Sequence, residues 1–115
     1  MSGATRPGRS KYGATRVSQD GVTFSSKAEA ARWKILNVVQ EQGLIRNLRR
    51  QVAYELRADG GNLVGKYVAD HVYDELHDGD WELVVEDVKG IPTPLYEWKK
   101  RHMVAEHGIE IREIR

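Results

Sequence analysis

Cysteine is missing altogether from the 115 residues. Disulfides, thiolate nucleophiles and cysteine-based zinc sites are thereby excluded. Also missing is any apolar run near the ~20 residues that a membrane-spanning helix needs. The first sixteen residues hold no apolar stretch of the kind a secretory signal carries. The expectation is a cytosolic protein with no membrane attachment. Net charge is scarce as well: 18 basic and 17 acidic side chains leave only +1, which argues against action through bulk positive charge. There is no internal repeat.

What is present suffices for one domain. The chain is 40% hydrophobic and 30% charged, too apolar to be wholly disordered. A domain of this length hides roughly 65% of the surface its unfolded chain exposes, so a single modest core is expected and a second domain is not. Charge is distributed in blocks. Residues 1–16 carry Arg6, Arg9, Lys11 and Arg16 and no acid; residues 44–57 carry Arg46, Arg49, Arg50 and Arg57 against Glu55 alone. Residues 70–87 carry eight acids and no Lys or Arg, and Lys99-Lys100-Arg101 follows. Basic blocks suit a polyanion, whereas an acidic block repels one unless cations sit in it.

Residues 1–13, rich in Gly, Ser and Arg, read as a flexible basic arm ahead of a single domain over 14–115. Asp20-Gly21 between Val17 and Val22 reads as a small hairpin. Ser26 with Glu29 matches a capping box, and Ala30, Trp33, Ile35, Leu36, Val38 and Val39 fit a helical face that Gly43 ends. Strands are expected over 44–56, 65–73 and 81–89, the last two joined across Asp74 to Asp80, with Asp78-Gly79-Asp80 as a tight turn. Thr93-Pro94 starts a second helix that Gly108 stops, and Ile109 and Ile111 begin a short last strand. The order helix, three strands, helix, strand is an α/β fold with a small mixed central sheet flanked by helices.

Chemistry gathers on the strand ending Glu86-Asp87-Val88-Lys89-Gly90. Side chains two apart share a face, so Asp87 and Lys89 stand together and Glu86 points the other way. The two form either a cross-neutralising ion pair or a metal ligand beside a charge stabiliser. Asp70 lies on the preceding strand, where aspartate is disfavoured. A hairpin centred on residues 74–80 sets Asp70 opposite residues near 84, and only a shift or bulge brings it to Asp87. Magnesium prefers oxygen ligands and uses one or two carboxylates with several waters, so two aspartates and a helical glutamate would suit it. Without a cation, clustered carboxylates repel and one pKa rises. Glu29 reads equally as a helix cap and as an acid at such a site. His71, His77, His102 and His107 show no zinc spacing; His102 and His107, five apart, do not share a helix face.

These residues carry a resemblance. Lys11-Tyr12, Asp20-Gly21-Val22-Thr23-Phe24-Ser25-Ser26-Lys27-Ala28-Glu29-Ala30, Gln51 and Tyr67-Val68-Ala69-Asp70 come first in the chain. Val84-Val85-Glu86-Asp87-Val88-Lys89-Gly90, Thr93-Pro94-Leu95-Tyr96 and Gly108-Ile109-Glu110-Ile111 follow. In that order, over residues 11–113, they resemble the PD-(D/E)XK nuclease superfamily, and more closely a family of small phage proteins with a predicted endonuclease or Holliday junction resolvase-like fold. The resemblance implies a restriction-endonuclease-like order α-β-β-β-α-β and divalent-metal-dependent cleavage of DNA, with Mg²⁺ as cofactor and Mn²⁺ able to substitute. It implies Asp70 and Asp87 as metal ligands, Lys89 as the catalytic lysine and Glu29 as an auxiliary catalytic acid. Gln51, Lys99 and Lys100 become substrate-binding candidates, although a solvated helix face explains the two lysines equally well. Ala69 stands where the superfamily has proline. The expected substrate is DNA, branched or junctional because so small a protein leaves little surface for base readout. A homodimer in the cytoplasm of a phage-infected or prophage-bearing bacterium is expected with it. A non-catalytic nucleic-acid-binding module that keeps the fold is the alternative, and a protein-interaction domain a third reading.

Overall fold

A two-stranded hairpin leads into the domain. β1 (Val17–Gln19) pairs antiparallel with β2 (Val22–Phe24), Val17 opposite Phe24. The computed structural model describes residues 17–19, 22–24, 26–88 and 92–115. The basic arm expected over 1–13, the Asp20-Gly21 turn and Lys89 lie outside the described residues.

Helix α1 (Lys27–Glu41) starts where the sequence says it should, with Ser26 Oγ accepting the Glu29 N–H at 3.2 Å. Its buried face is narrower than expected. Ala30 and Leu36 are buried, but Ile35 and Val38 are about half exposed, at 52% and 49%, because only one side of the helix meets the sheet.

Three long strands then run as an antiparallel meander: β3 (Ile45–Arg57), β4 (Leu63–His77) and β5 (Asp80–Val88). Helix α2 (Pro94–His107) follows, capped by Thr93 Oγ1 on the Tyr96 N–H and closed by Gly108 at φ 66°. β6 (Arg112–Ile114) returns parallel to β5, giving a mixed sheet of order β3-β4-β5-β6. The protein is thus a mixed α/β fold of two helices and a four-stranded sheet, preceded by the small hairpin. No helix among the described residues is long and apolar enough to cross a membrane.

The turn between β4 and β5 overturns the expected register. Only Asp78 and Gly79 make the turn, both at positive φ (49° and 87°), as a two-residue hairpin turn requires. The strands therefore run on to His77 and Asp80, and His71 pairs with Glu86. One residue further, Asp70 stands level with Asp87, not with residue 84. No shift or bulge in this pair is needed.

Two clusters hold the sheet between the helices. On the α2 side Leu56, Tyr67, Ala69, Val72, Val85, Tyr96, Met103 and Ile111 pack together, with Trp98 beside them. On the α1 side Leu36, Ile45, Tyr73 and Val84 form a smaller group, and Trp33 stacks on His71 at 5.8 Å. A fully buried side chain such as Met103 contributes about 2 kcal/mol. The strand period is interrupted within β4. Odd-numbered Tyr67 and Ala69 join the α2 cluster, yet odd-numbered His71 and Tyr73 pack with α1. The break falls at Asp70, and it coincides with a backbone irregularity in β3. There Gln51, between the pairs Arg50–His71 and Val52–Ala69, adopts φ 55°.

Candidate functional site

The break in β4 is where the acids meet. Asp70 is half-buried, and its Oδ2 accepts the Val88 N–H at 2.8 Å, which ties it to the end of β5. Asp87, buried at 8% exposure, hydrogen-bonds to it through the side chain. Burial, that hydrogen bond and the charge of Asp87 together push the Asp70 carboxyl up to about 8, with a further upward push from Glu29. The pair therefore holds a proton between its carboxyls at neutral pH, as two acids drawn together out of water must.

Glu29 reaches the same region from α1. It is buried at 2%, and its Oε2 accepts the Gln51 Nε2 amide at 2.8 Å. Its carboxylate is thus turned toward the sheet, beyond the cap that its own backbone N–H makes with Ser26. Gln51 pays for the contact with a left-handed backbone, which costs a non-glycine residue on the order of 1–2 kcal/mol and is typical of functional positions. Arg50 stands alongside. Its Nη2 lies 3.7 Å from Glu29 Oε2, and its guanidinium covers the Phe24 ring at 4.5 Å. Sequence reasoning singled out Glu29, Gln51, Asp70 and Asp87, and the fold joins Glu29 to Gln51 and Asp70 to Asp87 around the middle of β3 and β4. It missed Arg50, whose only signal was membership of a basic block.

Glu86, one residue before Asp87, belongs to a different world. Arg32 holds it bidentately at 2.8 and 2.9 Å, the Tyr73 hydroxyl donates to it at 2.6 Å, and His71 Nδ1 lies at 3.3 Å. Burial pushes its pKa up, but the bonds from Arg32, His71 and Tyr73 outweigh that and hold it down to about 2. With its oxygens committed, Glu86 is a structural carboxylate of the α1 face, and Asp87 is the acid that meets Asp70.

The lysines of α2 divide. Lys100 Nζ pairs with Glu113 Oε2 at 3.1 Å, and Glu113 also accepts the Tyr96 hydroxyl at 2.8 Å. Glu113 is the β6 register partner of Asp87, so Lys100 is anchored beside the acid pair. Lys99 is half-buried and makes no hydrogen bond or ion pair among the described residues. Glu113 carries no motif and was invisible from the sequence. Lys89 falls outside the described residues. The histidines are occupied elsewhere: His102 and His107 bind the carbonyls of Arg57 and Glu55, and His77 binds Glu75.

Among the described residues no group of three or more His, Asp or Glu is gathered closely enough to enclose a metal. What the site offers is two carboxylates in contact. That donor set fits Mg²⁺ or Mn²⁺, which bind through one or two carboxylates and keep several waters. A cation there would take the place of the shared proton. A family model described as a protein of unknown function (DUF1064) matches residues 9–114. No curated protein and no solved structure matches the chain.

Proposed function

The chain belongs to the DUF1064 family, and we propose that it is a divalent-metal-dependent DNA endonuclease of the PD-(D/E)XK type. The observation that carries this reading is the Asp70–Asp87 pair, two carboxyls in hydrogen-bond contact, where burial first and then the hydrogen bond and charge of Asp87 lift the Asp70 pKa to about 8. A fold that needed only neutral packing would not keep both acids there. A bound Mg²⁺ or Mn²⁺ would supply Lewis-acid polarisation of the phosphodiester and a water of lowered pKa.

The side chains divide the remaining work. Asp70 and Asp87 would hold the cation, Asp70 giving up its proton to do so. Gln51 holds the Glu29 carboxylate near Asp70, where Glu29 can accept a proton or orient a water. Arg50, Lys100 and, by the resemblance, Lys89 supply the positive charge that a phosphate approaching several carboxylates requires. Lys99 is the remaining candidate for a backbone contact. The small size of the domain favours a substrate recognised by shape, such as branched or junction DNA. Cutting two strands of a junction calls for two copies of the site, hence a homodimer. The setting that goes with this reading is the cytoplasm of a bacterium carrying phage or prophage DNA.

The test is cleavage of branched and linear DNA with Mg²⁺ or Mn²⁺ by the wild type and by Asp87→Ala. The proposal expects metal-dependent cleavage, faster on branched DNA, that Asp87→Ala abolishes. Equal cleavage by both proteins ends the site assignment. Salt-sensitive DNA binding with no cleavage at any metal concentration favours the non-catalytic binding module.

A further inference from the structure

Three tyrosines are buried among the described residues, and two of them are accounted for. The hydroxyl of Tyr73 donates to Glu86 at 2.6 Å, and that of Tyr96 donates to Glu113 at 2.8 Å. The third, Tyr67, is 4% exposed, and its buried hydroxyl has no hydrogen-bond partner. An unmet buried hydroxyl costs about 1–3 kcal/mol, and phenylalanine would fill the same volume without that cost. Packing alone therefore explains the ring of Tyr67 and leaves its oxygen unexplained.

The location of that oxygen narrows its use. Tyr67 lies in the α2-side cluster with Val72, Val85 and Tyr96. Val72 and Val85 are two residues from Asp70 and Asp87 on their strands, and Tyr96 is bonded to the register partner of Asp87. The ring thus belongs to the apolar floor beneath the acid pair. Burial first, then the nearby charge of Asp87 and, further down, of Asp70, raise the Tyr67 pKa, so the group stays a neutral O–H. The hydroxyl is fully covered in this conformation, so a water meets it only when the acid pair is parted, as a cation between the carboxyls would part it, and a buried water needs two to four polar partners.

We propose that Tyr67 is a positioning residue whose hydroxyl donates a hydrogen bond to a water carried by a divalent cation at Asp70 and Asp87. The inference rests on the metal-dependent reading above and deepens it. Mg²⁺ and Mn²⁺ retain waters when bound by only two carboxylates, and outer partners of this kind change metal affinity by about 10–100-fold. The ring packs the same way with or without its oxygen, so Tyr67→Phe tests the hydroxyl and not the packing.

The experiment measures Mn²⁺ affinity of the full chain, from the signal of free Mn²⁺, for wild type, Tyr67→Phe and Asp87→Ala, beside their melting temperatures. Tyr67→Phe is expected to melt at or above the wild-type temperature while binding Mn²⁺ about tenfold more weakly. A purely structural tyrosine would leave the affinity unmoved. Wild-type binding matched within twofold by Tyr67→Phe overturns this inference and leaves the metal site standing. Absence of Mn²⁺ binding by the wild type at millimolar metal overturns both. Should Tyr67→Phe fail to fold, the wild type labelled with ¹³C at tyrosine Cζ answers instead. Mg²⁺ is expected to shift the Tyr67 resonance, and a Tyr67 signal that stays fixed at saturation would overturn the proposal.

Discussion

Glu86 and Asp87 are neighbours on one strand, and the sheet turns them into opposites. Glu86 points to the α1 face, where Arg32, Tyr73 and His71 close around it and hold its pKa down to about 2. Asp87 points to the other face and meets Asp70, whose pKa the contact helps push up to about 8. A strand supplies both environments because its side chains alternate. The difference teaches how to tell a structural acid from a working one. The first has its charge answered by donors within the fold, and the second is placed against another acid, Asp70, whose charge becomes harder to hold.

Substitutions on the two faces should separate cleanly. The largest effect belongs to Asp87→Ala. Metal-dependent DNA cleavage, followed on a labelled branched substrate, is expected to fall by more than the roughly 100-fold that marks a merely supporting residue, with the circular dichroism of the fold retained. Loss of the fold instead would make Asp87 another Glu86.

Next comes Glu86→Gln, which leaves the Arg32 guanidinium and the Tyr73 hydroxyl without their carboxylate. Breaking a buried ion pair costs about 3–5 kcal/mol, and the lower end applies because Arg32 is 23% exposed. Urea denaturation should show a loss of about 3 kcal/mol. Cleavage per folded molecule should stay near that of the wild type.

Asp70→Asn sharpens the contrast further. In the folded chain Asp70 holds its proton to about pH 8, whereas unfolded it releases it near 3.8. The unfolded state therefore loses its proton first as pH rises. The metal-free fold loses stability between those values and nothing further above them. Asp70→Asn removes this loss, so at pH 8 without metal it should be the more stable protein by about 2 kcal/mol, a figure reduced because the group is only half-buried. At pH 3 the two should melt alike. With Mg²⁺ at pH 8 the wild type should gain stability and Asp70→Asn should not. The smallest effect is expected for Glu113→Gln, which loosens Lys100 and Tyr96: under ~1 kcal/mol in stability, since the pair is partly exposed.

Much of this was legible in the sequence, for local reasons. Ser26, Thr93-Pro94 and Gly108 mark helix ends because capping is decided within a few residues. Asp70 stood out because aspartate is rare inside a strand, and Asp87 because strand alternation sets it on one face with Lys89. The register was misjudged because it depends on where the turn closes. Asp78-Gly79-Asp80 reads as a tight turn in the sequence and Asp78 and Gly79 do make it, but the pairing expected from the sequence centres on the longer stretch 74–80, whose first residues belong to the strand. The change of side at Asp70, the left-handed Gln51 and the 54-residue span between Arg32 and Glu86 are products of tertiary packing. For the same reason Glu113 and the unpartnered Tyr67 hydroxyl left no trace in composition or spacing.

The claim that Asp70 and Asp87 are a cation site closed by a proton is tested most directly by counting protons. At pH 7 in weak buffer, Mg²⁺ or Mn²⁺ added to the wild type should displace close to one proton per ion bound, because Asp70 is still protonated there and must ionise to bind metal. Asp87→Ala should release almost none. Binding by the wild type with no proton released, or release that persists undiminished in Asp87→Ala, would contradict the account.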